Sequence, residues 1–204
     1  CVARPPFPEV CVARTSASTV VLALVPALAL GLFVGIGHRA GRLAAQARAG
    51  GVSRGTADGE WPAYAGDRRM HHYSPLSQIT GANFGSLEVA WRFKTDALGP
   101  RPEYKLEGTP LMVGGVVYTT AGSRRSVVAL DAATGELIWA HSEREGARAA
   151  AAPRQLSGRG VSYWSDGRDA RIYYVTTGYR LVALDAKTGS LISGFGTGGA
   201  VDLK

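Results

Sequence analysis

The chain has 204 residues, 46% hydrophobic and 19% charged, enough apolar material for a packed core and unlike a disordered segment. Its formal net charge of +7 is unevenly shared: residues 1–50 carry five Arg and one Glu, and residues 51–204 carry 18 Lys plus Arg against 15 Asp plus Glu. The scattered excess in the second part argues against a nucleic-acid surface, and cysteines only at positions 1 and 11 exclude a disulfide framework, a CxxC zinc pair or a CxxCH haem attachment beyond them.

Ala17 to Gly37 contains no charged residue, with Arg4 and Arg14 before it and Arg39, Arg42 and Arg48 after it. A positive flank followed by an apolar run is the pattern of an export signal, and this run is also long enough to cross a bilayer as a hydrophobic helix. Two readings stay open for residues 1–50: a signal peptide cleaved near Ala47-Arg48-Ala49, or an N-terminal membrane anchor over 17–37. Either delivers the residues after about 50 outside the cytoplasm.

Residues 51–82 read as an irregular lead-in segment. His71-His72 within it is not a metal pair, because adjacent side chains of an extended segment point to opposite sides. Asn83 to Phe93 (NFGSLEVAWRF) reads as a strand ending in Trp-Arg-Phe. Thr109–Gly122 and Arg171–Gly178 read as further strands, and Gly114-Gly115 marks a two-residue hairpin turn. No stretch of helical period is found after residue 55.

The most informative feature is a repeat: residues 127–139 read VVALDAATGELIW and residues 181–193 read LVALDAKTGSLIS. In each copy an alternating strand runs into a tight turn, where the Asp side chain can accept from backbone amides and Gly supplies a positive φ. Asp131 and Asp185 lie 54 positions apart, close to the length of a four-stranded propeller blade. Trp139 is expected to pack over the preceding turn and staple one blade to its neighbour; Ser193 stands in the equivalent place of the second copy. The fold expected is all-β: about two to three blades of a partial β-propeller over residues 83–204, cut off within the pattern and preceded by the N-terminal hydrophobic helix. Asp131 and Asp185 are turn residues in equivalent blades, not a catalytic carboxylate pair.

Four motifs resemble the quinoprotein dehydrogenase family in its own order: Gly66–Ile79 followed by NFGSLEVAW, Glu107–Tyr118 (EGTPLMVGGVVY), the repeat at Ala129–Trp139, and Gly158–Trp164 (GRGVSYW). The resemblance covers residues 60–204. It implies an eight-bladed propeller that oxidises an alcohol or a sugar by hydride transfer to pyrroloquinoline quinone (PQQ), held on the axis beside a calcium or lanthanide ion. By this resemblance Arg159 binds a carboxylate of the quinone, Glu107 accepts hydrogen bonds near its rim, and Thr176, in preference to Thr177, offers a hydroxyl to it. The metal ligands and the catalytic carboxylate belong to later blades, outside this sequence, so this piece is expected to be inactive alone.

The resemblance also implies an electron acceptor, ubiquinone or a cytochrome c, and a periplasmic location, soluble or anchored in the inner membrane. Alcohol-oxidising members carry two adjacent cysteines shortly before RGxxYW. Ala152-Pro153-Arg154-Gln155 here has none, which is similar to the sugar-oxidising, glucose dehydrogenase-like branch. The rival reading is a non-catalytic propeller scaffold that binds other proteins, as in outer-membrane assembly lipoproteins; Glu107 and the RGVSYW segment argue against it.

Overall fold

The computed structural model describes residues 55–99, 106–155 and 160–204. The apolar run over 17–37 lies outside them, and among the described residues no helix is long and apolar enough to cross a membrane.

Two four-stranded antiparallel sheets carry the fold. The first joins β1 (Leu111–Val113), β2 (Val116–Ala121), β3 (Ser126–Asp131) and β4 (Leu137–His141) in sequence order. The second joins β5 (Ser162–Ser165), β6 (Ala170–Val175), β7 (Arg180–Asp185) and β8 (Ala200–Asp202) in the same way. Each sheet is an up-and-down blade, as the repeat predicts. The crossover between them contains one short helical turn, α1 (Ala147–Ala150).

The repeated turns form as their sequence dictates. Asp131 Oδ1 accepts from the amides of Ala133 and Thr134 at 2.9 and 2.8 Å, and Asp185 Oδ1 from those of Lys187 and Thr188 at the same two distances. Gly135 and Gly189 close the turns at φ of 73° and 70°. The strand entering each turn is strongly apolar: five of the six residues of β3 are buried, because that strand is covered on both faces.

Between the blades, Tyr118, Val127, Ala129 and Trp139 of the first pack with Ile172, Tyr174, Val182 and Leu184 of the second. The Tyr118 hydroxyl donates to the Ala186 carbonyl at 3.1 Å. On the opposite face of the first blade, Ala121, Val128 and Leu130 are covered by Trp91, Phe93 and Leu98.

Two expectations from the sequence are corrected. Residues 83–93 form no strand: Phe84–Ser86 is a single 3-10 turn, and the chain beyond runs extended without a ladder partner among the described residues. Its role is to lay Trp91 and Phe93 on the first blade. Trp139, in turn, does not pack over the turn preceding it. Its indole lies on Gly189, in the turn of the following unit, and its Nε1 donates to Ala186 O at 3.0 Å. Trp91 does the same one unit earlier, over Gly135 and with Nε1 donating to Ala132 O at 3.1 Å. The ring displaces any side chain at the glycine: a Cβ on Gly189 would stand 2.5 Å from the Trp139 ring.

At the outer end of the second blade, Arg148 Nη1 donates to Asp202 Oδ2 at 2.8 Å, and a second, shorter contact joins Arg148 Nη2 to Asp202 Oδ1. These bonds hold the Asp202 carboxyl below the usual aspartate range, and the amide and hydroxyl of Thr134 do the same for Asp131.

Trp139→Ala is expected to cost about 3–5 kcal/mol in urea denaturation, because it opens a cavity between the blades. Gly189→Ala is expected to destabilise as well, by forcing its Cβ into the ring. Both carboxyls have lowered folded-state pKa values, so the stability they add is full above the unfolded value of about 4 and is lost as pH falls below it. Urea midpoints should therefore drop in acid, with a shallower drop in Asp202→Asn.

Candidate functional site

Antiparallel order places four segments at one end of the two sheets: the approach to β1 (Leu106–Pro110), the β2–β3 turn (Gly122–Arg125), the crossover after β4, and the β6–β7 turn (Thr176–Tyr179). The Gly114-Gly115 hairpin and the Asp-x-x-Thr-Gly turns occupy the other end, where the Ala132 amide donates to Gly115 O at 2.9 Å.

The EGTP and GRGVSYW motifs meet at the first of these ends through their glycines. Gly108 lies directly against Gly160, so that a Cβ added to Gly108 would be 2.7 Å from the Gly160 nitrogen. The Gly160 amide also donates to the buried Thr120 Oγ1 at 3.4 Å, and its φ of 70° suits a residue without a side chain. Glu107, next to Gly108, is exposed. Arg159, covalently next to Gly160, lies outside the described residues.

The Thr176 and Thr177 hydroxyls have different surroundings. Thr176 is 1% exposed, and its hydroxyl donates to Glu145 Oε1 at 2.8 Å and accepts from the Arg180 amide at 3.0 Å. The Thr177 hydroxyl is buried without a hydrogen-bond partner among the described residues, as is that of Ser123. Strand alternation does not choose between the two threonines, because β6 ends at Val175 and both belong to the turn.

Ser123 and Thr177 line one cavity of about 320 Å³, together with Arg124, Arg144, Glu145 and Gln155. Of the two carboxylates there, Glu145 is held by Thr176, by the Gly178 amide at 2.5 Å and by Arg180 at 3.9 Å, and Glu143 pairs with His141 at 2.9 Å. The remaining donors are guanidinium and hydroxyl groups, a set that suits an oxygen-rich anion. A planar polycarboxylate such as PQQ fits this end of the sheets on that chemistry. Among the described residues no three His, Cys, Asp or Glu side chains are gathered together.

Thr120, Arg125 and Glu145 escape the sequence reading. Arg125 stands in an Arg-Arg pair that reads as surface, and Glu145 in a charged stretch, Ser142–Glu145, of the same kind. Only the tertiary fold buries them.

Residues 61–204 match the family model described as "Glucose/ethanol/alcohol dehydrogenase, beta-propeller domain" of the PQQ group. The chain belongs to this family. The glycerol dehydrogenase large subunit of Gluconobacter oxydans is 36% identical over 162 residues, covering 74% of this chain and 21% of that protein. A quinohemoprotein alcohol dehydrogenase of Pseudomonas putida is 37% identical over 137 residues, covering 67% and 18%. Among solved structures, another quinohemoprotein alcohol dehydrogenase of that organism superposes with a TM-score of 0.59 at 35% identity, over 72% of this chain and 19% of its own. A europium-containing methanol dehydrogenase superposes at 0.54 with 28% identity, over 64% and 22%. The chain thus spans about a fifth of the length of these relatives. PQQ is the cofactor of this family, and the europium enzyme is a lanthanide-containing relative.

Gly108→Ala tests how closely the two motifs of this family must approach. Its backbone has no left-handed φ, so the effect is steric alone. The substitution is expected to cost about 1–3 kcal/mol in denaturation, and the Gly160 amide should exchange hydrogen faster.

Proposed function

We propose that this chain is part of a quinoprotein dehydrogenase that oxidises an alcohol or polyol by hydride transfer to PQQ. The observation that supports the reading is the close approach of Gly108, next to Glu107, to Gly160 at one end of the blades. When bound, the quinone supplies the hydride acceptor. The chain's own residues bind and orient it: Arg159 is suited to hold one carboxylate through a two-bond fork, and Glu107 to accept a hydrogen bond at the rim.

Relatives named as glycerol and alcohol dehydrogenases support an alcohol or polyol substrate over the sugar expected from the missing cysteine pair. A calcium or lanthanide ion, bound by residues beyond this sequence, completes the proposed centre; the europium-containing relative supports that choice. The electron acceptor proposed is ubiquinone or a cytochrome c, the second supported by relatives named quinohemoproteins. A periplasmic location, soluble or anchored in the inner membrane, is part of the proposal; the apolar run over 17–37 and its flanking arginines support it.

The test uses the full-length protein titrated with PQQ and calcium, then assayed by dye reduction with ethanol, glycerol and glucose. Quinone binding with turnover of ethanol or glycerol is expected. Arg159→Ala is expected to weaken quinone binding roughly tenfold to a hundredfold, the loss of a charge-assisted bond. A full-length protein that binds no quinone would sink the reading, and turnover of glucose alone would move the substrate back to the sugar branch.

A further inference from the structure

Arg125 is the least expected residue at this end of the blades. It is 3% exposed and holds a left-handed backbone, with φ of 53°. Such a φ is uncommon for any residue with a side chain, and a buried guanidinium is unfavourable unless its donors are matched. Each feature is costly alone, and a Gly or Asn on a solvated β2–β3 turn would avoid both.

The contacts show what the conformation achieves. From the first blade, Arg125 Nη1 donates to the Thr176 carbonyl of the second blade at 3.0 Å, and Nη2 donates to the Arg154 carbonyl in the crossover. Glu145 and Arg148 hold the same β6–β7 turn from other sides, through Thr176 Oγ1, the Gly178 amide and Gly178 O. Arg154 O is thus held by Arg125, and Gly160 by Thr120 and Gly108.

We propose that Arg125 is a positioning residue for the cofactor face. It acts through its neighbours: by gripping Arg154 O and Thr176 O together, it sets where the crossover and the β6–β7 turn stand, whose Gln155 and Thr177 line the cavity. The inference rests on the quinone-binding reading above. Only the planar fork can reach two carbonyls at once: Lys keeps the charge and one bond, and Gln keeps neither the charge nor the span.

The experiment measures the PQQ dissociation constant of the full-length protein by quinone absorbance, for the parent, Arg125→Lys, Arg125→Gln and Arg159→Ala. Thermal midpoints and kcat at saturating quinone are recorded alongside. Arg125→Gln is expected to weaken quinone binding roughly tenfold, from two lost bonds partly replaced by water, with kcat at saturation kept. Arg125→Lys should fall between it and the parent. If Arg159→Ala weakens binding while both Arg125 variants bind like the parent, or change only the thermal midpoint, the positioning role is overturned and the quinone reading stands. If the parent binds no quinone, that reading fails first. Should Arg125→Gln not fold, Arg125→Lys decides: parent-like binding overturns the proposal, and a weakened constant with kcat kept supports it.

Discussion

An indole laid on a glycine is the contact from which the arrangement of the two blades follows. Trp91 covers Gly135 and bonds Ala132 O; Trp139 covers Gly189 and bonds Ala186 O. The two contacts are equivalent, one unit apart. In each, a large apolar surface is buried while the one polar atom of the ring is matched, which is how a tryptophan contributes most. The glycine is needed twice over, for its positive φ and for the bare face it offers to the ring. A sheet that cannot bury both faces by itself is thus tied to its neighbour at a fixed offset.

With that offset fixed, polar groups at the other end can be matched across the blades. Arg125, Glu145 and Arg148 all reach the β6–β7 turn from the first blade or the crossover, through bonds to backbone atoms as well as side chains. Charges buried in this way contribute less to net stability than their number suggests, because desolvation offsets much of the gain. Their effect is better described as geometric. They hold turns, which would otherwise be loose, at one end of a rigid stack, the usual way a propeller presents a site on its loops.

Much of this could be read in the residues. The Asp-x-x-Thr-Gly turns, the strands before them and the Gly-Gly hairpin are local features, settled by neighbours within a few positions, and all form as read. What failed depended on distant partners. Asn83 to Phe93 has the look of a strand, yet no strand stands beside it among the described residues, and its aromatics serve as a cover. The direction of the Trp139 contact is not encoded near Trp139; it depends on Gly189, 50 positions on. Glu107 and Arg159 came from motif resemblance, and Gly108, next to Glu107, packs against Gly160. Arg125 and Glu145 had no signal, since a charged residue in a polar stretch reads as solvated until the fold covers it.

The indole contact also has a direction. Trp91 and Trp139 are each presented to the turn of the unit that follows, while Ser193 stands at that place in the second copy. A ribosome releases these parts in the same order: the ring emerges first, and the glycine it will cover arrives about fifty residues later. Each new blade therefore meets a finished docking surface at the moment its own turn closes. The array can be assembled vectorially during synthesis, with apolar faces covered in sequence and little time for strand edges to find partners in other chains.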